Sequence, residues 1–168
     1  MAQGNKGPAR GEETDLVITR VFRAPRALVF KAWTEPERLM QWWAPNGCST
    51  PFCTVDLRPG GRFHFCMRLP DGRDVWALGI YQEVVVPERI VYTDSFADAD
   101  GNFAPPSRYG MSPGHPAHTT VTVLFSDHEE GTRVTLRHSI PESVEERKGT
   151  EQGWNEMFDR LAERLLLA

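Results

Sequence analysis

At 168 residues and 19.0 kDa the chain has the size of one domain, and 19 Lys plus Arg against 23 Asp plus Glu leave it a net charge of −4. The basic residues come one or two at a time, without the clustered cations that displace counterions from phosphates, which argues against a nucleic-acid partner. No apolar run approaches the ~18 residues of a spanning helix and the N-terminus has no apolar signal region, so the expectation is a cytoplasmic protein with no membrane span.

Residues 1–14, MAQGNKGPARGEET, hold no large apolar side chain after Met1 and are expected to be a disordered tail before a single domain over 15–168. Leu16, Ile18 and Phe22, with Val17 and Val21 opposite, form a β-branched run that reads as a strand ending at Ala24-Pro25. Pro25, with its fixed φ and missing N–H, suits the first turn of a helix along which Leu28, Val29 and Ala32 follow at helical spacing. Thr34-Glu35-Pro36-Glu37 reads as a capping box for a second short helix, which carries Leu39, Met40, Trp42 and Trp43 and stops at Pro45-Asn46-Gly47.

The hydrophobic period then falls to two. Strands are expected over 52–57 and 62–69, joined by Pro59-Gly60-Gly61; in the second, Phe63, Phe65, Met67 and Leu69 alternate with Arg62, His64, Cys66 and Arg68. After a turn at Pro70-Asp71-Gly72, strands are expected over 75–86 and 90–96, then an irregular stretch over 97–116, then strands over 119–125 and 132–140. A C-terminal helix closes the chain. A capping box at Ser143-Val144-Glu145-Glu146 opens it, and Trp154, Met157, Phe158, Leu161 and Leu165 share one stripe. Helices and strands are segregated in sequence, so the class is α+β, with an antiparallel meander and the long helix laid across one face.

The chemistry is sparser. Cys48, Cys53 and Cys66 are an odd number without CxxC spacing and the five histidines are dispersed, so neither a disulfide framework nor a metal site is expected. The chain has no GxSxG elbow, phosphate loop or HExxH, and no cofactor is expected. Gly60-Gly61 precedes a strand, where the helix N-terminus that would hold an anion is missing, and it reads as a hairpin turn. Two carboxylates, Glu83 and Asp94, stand in strand patterns among apolar neighbours, as buried acid–base groups or as acceptors of structural hydrogen bonds. Five Trp, nine Phe and three Tyr fall mainly where helices and sheet must meet, filling a core or lining a cavity. Gly149 and Gly153, inside a helical pattern at ~1 kcal/mol each, favour some hollowness, as does the 97–116 segment, whose length suits a lid or portal.

VFRAPRALVFKAWTEPERLMQWWAP, GGRFHFCMR, GIYQEVVVPERIVYTDSF, GTRVTLRHSIP and GWNEMFDRLAERL together resemble the activator of heat-shock-protein-90 ATPase homologue-like family, from about Asp15 to the C-terminus. That family is part of the START-like, helix-grip superfamily, with the birch pollen allergen, lipid-transfer domains and polyketide cyclases. The resemblance implies a curved antiparallel sheet of about six to seven strands gripping a long C-terminal helix around an apolar cavity, with two short helices after the first strand. It places Phe63, Phe65, Met67, Tyr92, Asp94, Phe96, Trp154, Met157, Phe158 and Leu161 on the cavity wall and Trp42 and Trp43 at one end, while Arg108, Tyr109 and Met111 belong to the 97–116 segment whose length suits a lid or portal.

The strand over 75–86 reads apolar on both faces, so either Trp76, Leu78 and Ile80 or Ala77, Gly79, Tyr81 and Glu83 point inward; Tyr81 and Glu83 are favoured as groups that serve a ligand. Trp42-Trp43, if exposed, suits a homodimer contact as well as a cavity mouth. Three functions follow: binding of a small hydrophobic or amphipathic ligand, which leads; a chaperone-regulating role with a chaperone partner; and a cyclase-, aromatase- or hydrolase-type enzyme with Asp94 or Glu83 as general base.

Overall fold

The computed structural model describes residues 15–167, and the predicted tail over 1–14 lies outside them. Strand β1 (Leu16–Phe22) leads through Pro25 into helix α1 (Arg26–Thr34) and the single turn α2 (Pro36–Leu39). Six strands follow: β2 (Ser49–Val55), β3 (Arg62–Arg68), β4 (Asp74–Val85), β5 (Arg89–Ala97), β6 (His118–His128) and β7 (Gly131–His138). Helix α3 (Arg147–Leu166) ends the chain. All seven strands form one curled antiparallel sheet in the order β1-β7-β6-β5-β4-β3-β2, with β1 and β2 at its edges. This is the helix-grip arrangement expected.

Both predicted capping boxes are absent. Thr34 is the last residue of α1, where its hydroxyl donates to the Phe30 carbonyl, while Glu35 pairs with Arg38. A Ser or Thr ahead of a helix caps it only if the chain turns there, and here α1 runs through Thr34. Likewise α3 starts after Glu146, three residues beyond Ser143, and the Glu146 carboxylate reaches the 97–116 loop instead of its own helix.

The Gly60-Gly61 hairpin reading agrees with the structure. Gly60 N–H donates to Tyr81 O and Gly61 N–H to Arg58 O, which commits both amides inside the fold. A Cβ on Gly61 would lie 1.9 Å from Asp56 O, so the turn closes only around glycine.

Alternation fixes the faces. Leu16, Ile18 and Phe22 of β1, Phe63 and Phe65 of β3, Val121, Val123 and Phe125 of β6, and Val134 and Leu136 of β7 turn into the grip. Phe63 and Phe65 lie opposite Gly79 and Ala77 in the β3–β4 register, so the inward set of β4 is Ala77, Gly79 and Tyr81. Glu83 does not belong to it. The register shifts between Tyr81 and Glu83, and the extra residue at Gln82 carries Glu83 to the outer face, where it accepts a 3.1 Å hydrogen bond from Arg89 Nε.

One half of the space under the sheet is filled. Trp33 sits edge-on to Trp42 and Trp43 at 4.8 and 5.5 Å between ring centroids, Trp43 to Trp154 at 5.4 Å, and Phe22 to Phe158 at 5.6 Å. Trp42 and Trp43 are 1% and 4% exposed, so these rings offer no surface to a second copy of the chain. Phe158 and Leu161 are fully buried in this half, where each large side chain removed from water contributes about 1.5–3 kcal/mol.

Candidate ligand cavity

The other half is open. A cavity of about 570 Å³, within the range of small-molecule sites, lies between β3–β7 and the first half of α3, with residues 111–117 along its side. Trp43, Phe65, Met67, Ala77, Tyr92, Phe96, Ile140, Trp154 and Met157 give it apolar walls. Exposed residues Ala117, Glu145 and Gly149 belong to the lining as well, which places its mouth between the loop and the first turn of α3.

Of the residues that the sequence put on the wall, the structure brings together Trp43, Phe65, Met67, Tyr92, Asp94, Phe96, Trp154 and Met157, with Met111 from the loop. Trp42, Phe63, Tyr81, Phe158 and Leu161 face the same interior but lie in the packed half, outside the lining. Arg108 and Tyr109 also lie outside it. Tyr109 donates to Ala97 O at 2.5 Å and pins the short 3-10 turn Pro106–Tyr109 to β5, while the Arg108 guanidinium stacks over the Tyr109 ring.

Glycines shape the space. Gly79 faces the grip beside Tyr92, and a Cβ there would meet Tyr92 Cδ2 at 3.1 Å, so glycine lets the tyrosine ring lie across β4. A Cβ on Gly149 would meet nothing within 4 Å, which puts Gly149 at open space on the rim. Gly153 backs onto Pro45, 3.7 Å from where its Cβ would be.

Two polar groupings enter the cavity. Asp94 is half-buried as a residue, yet its Oδ1 is enclosed and accepts no hydrogen bond from any described residue. Loss of hydration pushes this carboxyl from 3.8 up to about 7, against a smaller pull downward from the Ser95 backbone N–H. Beside it, the Trp154 Nε1–H donates to His138 Nδ1 at 3.1 Å. An indole N–H only donates, so Nδ1 is the acceptor nitrogen and Nε2 bears the proton that bonds Thr119 Oγ1 at 2.9 Å. Burial, helped by the nearby charges of His115 and Arg147, pushes His138 down to about 4 and keeps the ring neutral. With Oγ1 accepting from His138, the Thr119 hydroxyl hydrogen is left for an acceptor in the cavity.

The loop is tied to the helix that it faces. Ser112 donates to Glu146 through its backbone N–H at 2.5 Å and its hydroxyl at 2.9 Å, which holds the Glu146 carboxyl below its usual range. His138 and Thr119 were missed in the sequence although a signal existed. Each is a polar residue at the inward parity of an otherwise apolar strand, His138 after Val134 and Leu136, and Thr119 before Val121 and Val123. The 115–117 segment carries no period and gives no such sign.

Among the described residues no cysteine belongs to the lining. Burial pushes the Cys53 thiol up to about 12 and Cys66 up to about 11, leaving neither as a thiolate, and among the described residues no three His, Cys, Asp or Glu side chains are grouped to hold an ion.

The sequence profile of the family described as Activator of Hsp90 ATPase homolog 1-like protein matches residues 23–165, from the end of β1 to the last turn of α3. The chain belongs to this family. Its fold is one known for ligand binding. Among solved structures, a protein from Nitrosomonas europaea is similar at 28% identity and a TM-score of 0.74, covering 93% of this chain and 96% of its own. One from Chromobacterium violaceum reaches 26% and 0.73, covering 91% and 97%. A third, from Arthrobacter aurescens, reaches 25% and 0.76, covering 95% and 90%. No curated protein matches this chain. Among the described residues no helix is long and apolar enough to cross a membrane.

Proposed function

We propose that this protein holds a small hydrophobic or amphipathic molecule in the cavity between the sheet and the first half of α3. The observation that carries the reading is the cavity itself. A volume of about 570 Å³ with apolar walls is left open in a domain whose other half is closed by interlocking tryptophans and phenylalanines. Protein interiors normally fill to crystal-like density, so such a space favours a guest.

Native mass spectrometry of the purified protein tests this directly. The expected result is an added mass in the native spectrum that is released on denaturation, or acquired on incubation with an apolar probe such as 1-naphthalenemethanol. A protein that carries nothing and takes up nothing overturns the reading. Phe65→Arg, which sets a charge on the cavity wall, is expected to abolish the added mass in a protein that still folds.

Asp94 favours a second reading, an enzyme in which this carboxyl takes or gives a proton, because a group that titrates at about 7 in a cavity is suited to that work. Asp94→Asn would then abolish turnover of a substrate found in the cavity, whereas full turnover removes the idea. Glu83, paired with Arg89 on the outer face, has no part in it. The chaperone reading draws on the family's name; absence of binding to the purified chaperone at micromolar concentration ends it.

A further inference from the structure

The lining of the cavity is one-sided in charge. Asp94, Glu145 and Glu146 belong to it, and among the described residues no lysine or arginine does. Of its two histidines, His138 is engaged by Trp154 and Thr119 as a neutral ring, and His115, a lining residue able to carry a positive charge, has its Nδ1 3.0 Å from the Pro116 carbonyl. The Arg147 guanidinium is outside the lining and donates to the Ile140 carbonyl. Glu146 is engaged by Ser112 and Glu145 is exposed at the rim, so the enclosed acidic group of the lining is Asp94, whose Oδ1 accepts no hydrogen bond from any described residue.

Buried carboxylates are paired in folded proteins because an isolated one forfeits its hydration. Asp94 is on the wall of a cavity that the aromatic rings of Phe65, Tyr92 and Trp154 also line. A positively charged head would complete the carboxylate and gain further from aromatic faces, whereas an anionic head would add a second uncompensated charge.

We propose that the ligand is a cationic amphiphile, an aromatic or alkyl amine whose apolar body lies against Trp43, Phe65, Trp154 and Met157 and whose ammonium group donates to Asp94. The proposal rests on the cavity being a ligand site and specifies which ligands it takes.

The test compares three compounds with one ring system, 1-naphthylmethylamine, 1-naphthalenemethanol and 1-naphthoic acid, by calorimetric titration of the full chain at about pH 8, where the first is a cation and the last an anion. The amine is expected to bind about tenfold more tightly than the alcohol, as a charge-assisted hydrogen bond does over a neutral one, and the acid least. Asp94→Asn is expected to bring the amine down to the alcohol's affinity. Equal binding of amine and alcohol, or tightest binding of the acid, overturns the amine proposal and leaves the cavity reading standing. Failure of all three to bind overturns both. The ranking is read on the unaltered protein, so the decision holds even where the variant does not fold.

Discussion

Asp94→Asn makes the dryness of the cavity floor measurable through stability. The carboxyl has its ordinary value of 3.8 in the unfolded chain and about 7 in the folded one. Between these values the unfolded chain has released a proton that the folded chain keeps, so stability falls as pH rises through the window and levels off above about 7. One unit of displaced titration is ~1.36 kcal/mol, which sets a ceiling of about 4 kcal/mol for the whole window. Going from about pH 5 to pH 8 crosses roughly two units of it, or about 2.7 kcal/mol. Asn fills nearly the same space and does not titrate. Whatever the substitution costs in hydrogen bonds, the variant's stability relative to the original protein is therefore expected to improve by about 2–3 kcal/mol between these two pH values. Urea unfolding followed by tryptophan fluorescence, run on both proteins at both pH values, gives the four free energies required. Taking the difference removes groups with the opposite slope that the substitution leaves untouched. A relative stability constant to within about 0.5 kcal/mol would mean that Asp94 ionises as a solvated carboxyl, and the argument for an enclosed, unpartnered oxygen would fail with it.

His138 has the opposite sign. Its proton affinity is pushed from 6.5 down to about 4, so below 6.5 the unfolded chain binds a proton that the folded ring refuses; stability is lost as pH falls toward 4, by at most ~3.4 kcal/mol, and His138→Gln is expected to flatten this slope in acid titrations of unfolding. Gly149→Ala introduces a better helix former into open space and is expected to raise stability by up to ~1 kcal/mol in the same unfolding assay. Gly149→Trp is expected to obstruct the mouth and lower uptake of 1-naphthalenemethanol, seen by calorimetry. Phe158→Ala, in the packed half, is expected to cost about 3–5 kcal/mol by urea unfolding, since the site is fully buried and held by rings on both sides.

The fold was legible because its signals are local and repeated. The inward alternation of β3, the spacing of Trp154, Met157, Phe158, Leu161 and Leu165 in α3, and the Pro25 start of α1 each follow from a single period or a single steric rule. Element ends were less legible, because they depend on where the chain turns and not on what it contains. Thr34 has the right chemistry for a cap and instead bonds back to Phe30 inside α1; Glu146 reaches Ser112, 34 residues away in sequence. Glu83 failed for a related reason. Parity carries an inward assignment along a strand only until a bulge, and nothing in Tyr81-Gln82-Glu83 marks the extra residue, which exists because β4 and β5 shift register there.

The cavity was not legible as a cavity because aromatic and aliphatic side chains line pockets and fill cores alike, and their pattern is the same in both. What separates the two halves of this interior is the size of the side chains at the same level on neighbouring strands, which only the register shows. Asp94 on β5 lies opposite Thr119 on β6, and both belong to the lining. Two adjacent strands thus present polar residues in one row. Across from that wall, α3 supplies Gly149, Thr150 and Gly153 in its first half, and Phe158, Leu161 and Leu165 in its second. Glycine twice within a helix costs stability that alanine would return, and a polar row across a sheet forgoes burial that valines would supply. Both concessions fall on opposite walls of the same space, and Asp94 and Thr119 are in the polar row that lines it.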